Sequence, residues 1–132
     1  MGSANPLSRS LAVHELSIAC DLIECVRGEA ARRGIEHIVA VHMHLGAVSG
    51  VVKEALLFSF DVAARGTMLE GARLMIEDVP LVVHCRECRA EHVLASIVDV
   101  RCPECGSAAA EVVHGRELEL TAVEVPDEDA HR

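Results

Sequence analysis

Six cysteines and eight histidines in a chain of 132 residues are the side chains with the most chemistry to offer. Four of the cysteines stand in two identical spacings, Cys85-x2-Cys88 and Cys102-x2-Cys105, with thirteen residues between them. A Cys-x-x-Cys turn aims two thiolates at one point, and two such turns together make the tetrahedral sulfur set that Zn²⁺ accepts. Four thiolates leave no open coordination position for water, so the pattern predicts a structural zinc and not a hydrolytic one. The 27 residues from His84 to Ala110 are too few for a core of their own. Zinc would replace that core, contributing about 10 to 16 kcal/mol as in isolated zinc peptides. Two disulfides, a redox pair, or iron in a rubredoxin-like knuckle are the competing readings, and paired spacing in a cytosolic chain favours zinc. Gly106 permits a positive φ directly after the last ligand.

The other thiols and imidazoles carry weaker signals. His84 and His92 flank the first knuckle, where solvated neighbours are the ordinary outcome and exchange with a thiolate is the functional one. His42 and His44 share one strand face, a spacing that suits a metal and equally an exposed polar sheet surface. Cys20 falls within an apolar helical stripe and Cys25 near its rim, so both are expected as small core hydrophobes. His14-Glu15 stands at the entrance of a long amphipathic segment, where an acid favours the helix dipole. No Ser-His-Asp order, Walker loop or Rossmann glycine pattern is present, and neither nucleotide hydrolysis nor any other catalysis is expected.

These residues must be held by elements whose periods are legible. From Leu16, apolar residues recur at Ala19, Cys20, Ile23 and Val26 with Ser17, Asp21 and Glu24 opposite, which predicts a helix ending at Gly34. "IEHIVAVHMHLGAVSG" switches to period two, placing Val39, Val41, Met43 and Leu45 on one face and Ala40, His42 and His44 on the other. "KEALLFSFDVAARG" is helical again, its stripe being Leu56, Leu57, Phe60, Ala63 and Ala64. Strands follow through Leu74 and Ile76, with Pro80 ending the pairing, and through Leu118, Leu120 and Ala122. The last strand should return to the sheet begun by the first two, since alone it could neither pair its backbone nor bury a face. The expected class is α+β: two helices with a three-stranded sheet, plus an inserted zinc-ribbon-like domain.

Composition narrows the partners. A formal charge of −9, with Arg32 and Arg33 the one basic cluster, argues against a phosphate-backbone binder. Phe58 and Phe60 are the only aromatics besides histidine, so stacking platforms for single-stranded bases are missing too. No apolar run approaches the roughly 18 residues that span a bilayer, and the first twelve residues lack a signal peptide's apolar middle. The cytoplasm is the expected compartment, with no membrane and no nucleic acid as partner.

With the element order, His14-Glu15 and the four cysteines assembled, the chain resembles the HypA/HybF family of hydrogenase maturation nickel metallochaperones. The resemblance runs from Val13 to Val125 and rests on "HELSIACDLIE", "FSF" followed by "GTMLEGARLMIEDVP", "HCRECR", "CPECGS" and "GRELELTAVEV". It implies a nickel-binding domain over 13–83 with 111–126, and a zinc domain over 84–110 held by Cys85, Cys88, Cys102 and Cys105. Outside that stretch, the Gly, Ser, Asn and Pro of residues 1–12 show no periodicity and read as a flexible leader, expression remnant or mis-annotated start, and 127–132 read as an acidic tail. The resemblance further implies Ni(II) as transient cargo, Zn(II) as structural metal, and delivery to the [NiFe]-hydrogenase large-subunit precursor together with a maturation GTPase. In some organisms urease maturation proteins join these partners, and the chain itself would be a monomer or homodimer.

The family's nickel motif is Met-His-Glu at the amino terminus, and His14 and Glu15 occupy its second and third places. A histidine there offers its ring nitrogen, its amide nitrogen and the next amide, and a free terminal amine completes a square-planar set that suits Ni²⁺. Val13 stands where the family has methionine and, peptide-bonded, has no free amine. Either other ligands complete the site, or the biological chain starts at position 13, where a GTG codon would initiate as methionine. Lys53, where the family often has proline, alters a helix start and not a ligand. The alternative function is a zinc-ribbon protein-interaction adaptor that carries no nickel.

Overall fold

The computed structural model describes residues 6–95, 97, 99–108 and 110–127, with side chains from Glu15 onward. In chain order the elements are α1 (Pro6–Arg33), β1 (Ala40–Gly46), α2 (Lys53–Ala64), β2 (Arg73–Val79), β3 (Leu81–Cys85), β4 (Ala90–Leu94), β5 (Ala110–His114) and β6 (Leu118–Glu124). Helix α1 starts earlier than the apolar pattern does, so residues 6–12, expected as an unpatterned leader, form its first turns. Residues 1–5 and 128–132 of the expected leader and tail lie outside the described residues.

Helix α1 buries Glu15, Ala19, Ile23, Val26 and Ala30, while Leu16 is 43% exposed. Ala19, Ile23 and Val26 are buried as expected, whereas Leu16 and Cys20 are exposed and Glu15 and Ala30 complete the stripe instead. Apolar residues flank the true stripe on both sides, so periodicity alone left its phase open, and packing against α2 resolved it. Cys20 and Cys25 are consequently exposed, correcting their placement in the core. Arg32 and Arg33 sit in the last turn, where cations complement the helix dipole. Gly34 follows with φ 68°, its N–H reaching Ala31 O at 3.4 Å while Ile35 N–H reaches Ala30 O at 2.9 Å. That pair of bonds is a Schellman motif, which needs a left-handed residue at Gly34.

Strands β1, β2 and β6 form one sheet in the order β2-β1-β6, so the last strand does return to the first two. Val41, Met43 and Leu45 are buried on β1 and His42 and His44 are half-exposed, as period two requires. Val39 precedes the strand and is 38% exposed, while Ala40, on the opposite face from Val41, is buried as well. Helix α2 buries Leu56, Ser59, Phe60 and Ala64 and turns Phe58 outward. Burying a side chain such as Phe60 is worth about 2 to 3 kcal/mol.

The cysteine segment holds more regular structure than its spacing announced. Strands β3, β4 and β5 form a second sheet in the order β4-β3-β5, both pairs antiparallel. Leu81, Val83 and Cys85 alternate inward on the central strand. Pro80 lies between β2 and β3, where the chain passes from one sheet to the other. Two compact units result, one of residues up to 43, 51–76 and from 120, the other of 44–50 and 77–119. The second is broader than the 84–110 segment that the cysteines mark. Within it the Gly46 N–H bonds Glu117 O at 2.7 Å, and a Cβ on Gly46 would stand 2.1 Å from Gly115 O. Only glycine fits that approach.

Candidate metal centres

The four cysteines meet at two matching turns. Cys85 ends β3 and Cys88 lies in the turn toward β4, where the Cys88 amide donates to Cys85 Sγ at 3.4 Å and the Arg89 amide to Cys85 O at 2.7 Å. In the second turn the Glu104 amide donates to Cys102 Sγ at 3.4 Å and the Gly106 amide to Cys102 O at 2.8 Å. Each turn closes on a left-handed residue one place after its second cysteine: Arg89 at φ 57° and Gly106 at φ 73°. Gly106 plays the part expected of it. Arg89 meets the same demand without the freedom of glycine.

The sulfur atoms of all four lie within 4.8 Å of one another. Cys85 Sγ is 3.6 Å from Cys105 Sγ, and Cys88 Sγ is 3.7 Å from Cys102 Sγ. Zinc–sulfur bonds of about 2.3 Å in a regular tetrahedron set sulfur atoms about 3.8 Å apart, a spacing that the Cys85–Cys105 and Cys88–Cys102 pairs already approach. These separations are far longer than the roughly 2.05 Å of a disulfide. Cys85 and Cys102 are buried and Cys88 and Cys105 exposed, so the site is anchored in the unit by one cysteine of each turn.

The protons on this cluster are unevenly held. Burial pushes the Cys102 thiol up, but the amides of Cys105 and Glu104, together with the thiols of Cys85 and Cys105, stabilise its thiolate and bring it down to about 6. Hydrogen bonds to the Cys105 and Cys102 sulfurs, with burial, push the Cys88 thiol up to about 12. The metal-free cluster thus resembles one thiolate supported by neighbouring thiols, and a divalent cation must displace the remaining protons.

The histidines fall into other roles. His42 Nε2 lies 2.5 Å from Glu124 Oε2, and His44 Nε2 lies 3.2 Å from Glu77 Oε1. Each imidazole is thus engaged by a carboxylate of a neighbouring strand. Among the described residues only the four cysteines bring three or more potential ligand atoms together, so His42 and His44 form no cluster of that kind. His84 stands opposite Glu91 and Glu111 in the second sheet, and His92 opposite Val83. The His92 Nε2 atom is buried with no hydrogen-bond partner.

His14 lies in α1, with its side chain outside the described residues. Glu15 is 1% exposed. One carboxylate oxygen accepts the Val52 N–H at 2.8 Å, and the other is buried without a hydrogen-bond partner among the described residues. Val52 is the N-cap of α2 and makes no side-chain cap bond of its own. Glu15 therefore brings a carboxylate from α1 to the positive end of α2, a structural role that sequence reasoning missed. The available signal was "GVVKEAL", a helix start without the Ser, Thr, Asp or Asn that would normally cap it.

Comparison with known proteins bears on the same residues. The family model described as "Hydrogenase/urease nickel incorporation, metallochaperone, hypA" matches residues 13–125. A hydrogenase maturation factor HypA from Roseiflexus sp. (strain RS-1) is 50% identical over 116 residues, covering 88% of this chain and 94% of the relative. Its counterpart from Chloroflexus aurantiacus (strain ATCC 29366 / DSM 635 / J-10-fl) is 50% identical over 114 residues, covering 86% and 100%. Among solved structures, the nickel metallochaperone HypA of Helicobacter pylori shares the fold with a TM-score of 0.60 at 21% identity, over 84% of this chain and 96% of that one. A second HypA solution structure gives a TM-score of 0.66 at 22% identity, covering 86% and 97%. The α+β fold, the cysteine cluster and a family match spanning both units agree: the chain belongs to the HypA family of hydrogenase maturation nickel metallochaperones.

Proposed function

We propose that the protein carries Ni(II) in the cytoplasm and, with a maturation GTPase, delivers it to the precursor of the [NiFe]-hydrogenase large subunit. It performs no catalysis of its own. Zn(II) on Cys85, Cys88, Cys102 and Cys105 is structural and holds the zinc domain around 84–110. Nickel is taken by the domain formed from 13–83 and 111–126, with His14 and Glu15 at its site. The observation that carries this reading is the family match, whose first residues are Val13, His14 and Glu15.

The nickel-competent form begins at position 13. Helix α1 runs continuously from Pro6 through residue 15. In such a helix the amides of His14 and Glu15 are committed to the carbonyls four residues earlier. Nickel that uses amide nitrogens needs those amides free of protons and of helical partners, and it needs the amine that a chain start at 13 would supply. Helical residues upstream of His14 support this reading by showing what the longer chain does with those amides.

The test is a nickel titration of zinc-loaded protein, with and without residues 1–12, beside His14→Ala. Stoichiometric nickel with a square-planar spectrum in the shortened form, lost in His14→Ala, is the expected result. Absence of stoichiometric nickel binding in both lengths would defeat the carrier reading and leave the zinc-ribbon adaptor. Retained binding after His14→Ala would move the site elsewhere. Intact mass of protein from its native source decides the start: a leader still attached overturns initiation at position 13.

A further inference from the structure

Among the described residues both outer strands of the β2-β1-β6 sheet keep an unpaired edge, and the edge of β6 is the one that borders a groove. In the order β2-β1-β6 the last strand is an outer one, so a row of its backbone N–H and C=O groups faces away from β1. A free edge of this kind is a template for another strand. Beside it lies a groove of about 520 Å³ between the second half of α1 and residues 120–125. Val26, Ala30, Ile35 and Ile38 line it from the helix side, and Leu120 and Val123 from the strand. Val26, Ala30 and Ile38 are buried. A strand laid against β6 would direct every second side chain into this apolar cleft, because successive side chains alternate between faces.

The charge of the edge selects its occupant. β6 itself reads LELTAVE, with two glutamates and no cation, and Asp127 follows it exposed. Glu124 is already half-exposed beside His42. A second copy of β6 would set acid against acid across the new pair, which like-charge cross-strand contacts disfavour. A strand with Lys or Arg at the positions between its apolar residues meets no such penalty. We propose that the free edge of β6 and the groove beside α1 receive an extended segment of a partner protein, with apolar and basic residues in alternation, added as a fourth strand to the β2-β1-β6 sheet. The Leu120–Val125 stretch, at about 3.4 Å per residue, accommodates roughly six residues of such a segment.

The probe is a capped eight-residue peptide of alternating valine and lysine, titrated into the full-length zinc-loaded chain and followed by amide NMR. Expected are saturable shifts confined to residues 25–38 and 118–125, with half-saturation below about 1 mM, and slowed hydrogen exchange at alternate β6 amides. N-methylation of alternate peptide nitrogens should weaken binding at least ten-fold. So should Cys25→Trp, which fills the groove from an exposed rim position and whose unchanged spectrum elsewhere certifies its fold. Absence of saturation, shifts centred on other residues, or equal binding of a valine–glutamate peptide would each overturn the proposal. Equal binding of a serine–lysine peptide would do so as well, reducing the effect to charge. Protein that self-associates through β6 without peptide would replace the partner segment with a second copy.

Discussion

Replacing Glu15 separates two things that one carboxylate could do. In the folded chain it is buried, it accepts the Val52 N–H at 2.8 Å, and its other oxygen has no hydrogen-bond partner among the described residues. Glu15→Ala removes a hydrogen bond to a charged acceptor, worth about 1.5 to 3 kcal/mol, and one methylene, worth about 0.8 kcal/mol. Against this stands the relief of a buried oxygen without a partner, about 1 to 3 kcal/mol. The net expectation is a loss of about 1 kcal/mol for alanine. Glu15→Gln keeps an acceptor for Val52 and removes the buried charge, so its stability should stay within about 0.5 kcal/mol of the parent. For a chain of this size those losses correspond to a melting shift of about 3 to 5 °C for alanine and about 2 °C at most for glutamine. Zinc-saturated melts read this directly, and nickel titration of the same samples reads the site. If glutamine is as damaging as alanine, the negative charge at the start of α2 is what matters and the hydrogen-bond reasoning is refuted. A glutamine variant of normal stability that has lost nickel would instead make the carboxylate itself a ligand.

Four further outcomes follow from local geometry and electrostatics. Gly46→Ala would drive a Cβ to within 2.1 Å of the Gly115 carbonyl oxygen and break the Gly46–Glu117 bond; a loss of about 3 kcal/mol is expected in urea titration. Arg89→Gly relieves a left-handed arginine at φ 57°, and after the entropy cost of glycine a gain of about 0.5 kcal/mol is expected for the zinc-loaded protein. Destabilisation instead would show that the Arg89 side chain contributes. Zinc added to metal-free protein at pH 7 should release fewer than four protons, since the Cys102 thiol, brought down to about 6, is largely ionised while Cys88, pushed up to about 12, is not. The depressed Cys102 value stabilises the metal-free fold above the unfolded thiol range and that contribution is lost as pH falls through about 6, whereas the raised Cys88 value acts in the alkaline range in the opposite sense. Indicator-dye proton counting checks the first statement and metal-free melts between pH 5 and 8 the second.

Much of the site was legible because its chemistry is local. Two Cys-x-x-Cys turns at fixed spacing dictate which four sulfurs meet, and Gly106 marks the left-handed closure of the second turn. The switch from period 3.6 to period two located both helices and the three strands of the first sheet, and backbone pairing required the last strand to return. The second sheet escaped notice because its strands are only five residues long and lie among turn residues and cysteines, where alternation has too few positions to register.

What the sequence by itself determined, then, is which four sulfurs gather and the order of elements, since cysteine spacing and hydrophobic period are properties of neighbouring residues. The tertiary structure alone decided the phase of α1, and with it the exposure of Cys20 and Cys25 and the burial of Glu15. A helix with apolar residues on more than one face has no preferred orientation until α2 packs against it. Glu15 became an anchor because α2 begins at Val52 without a cap of its own, and a contact across 37 residues of sequence is invisible to any local pattern.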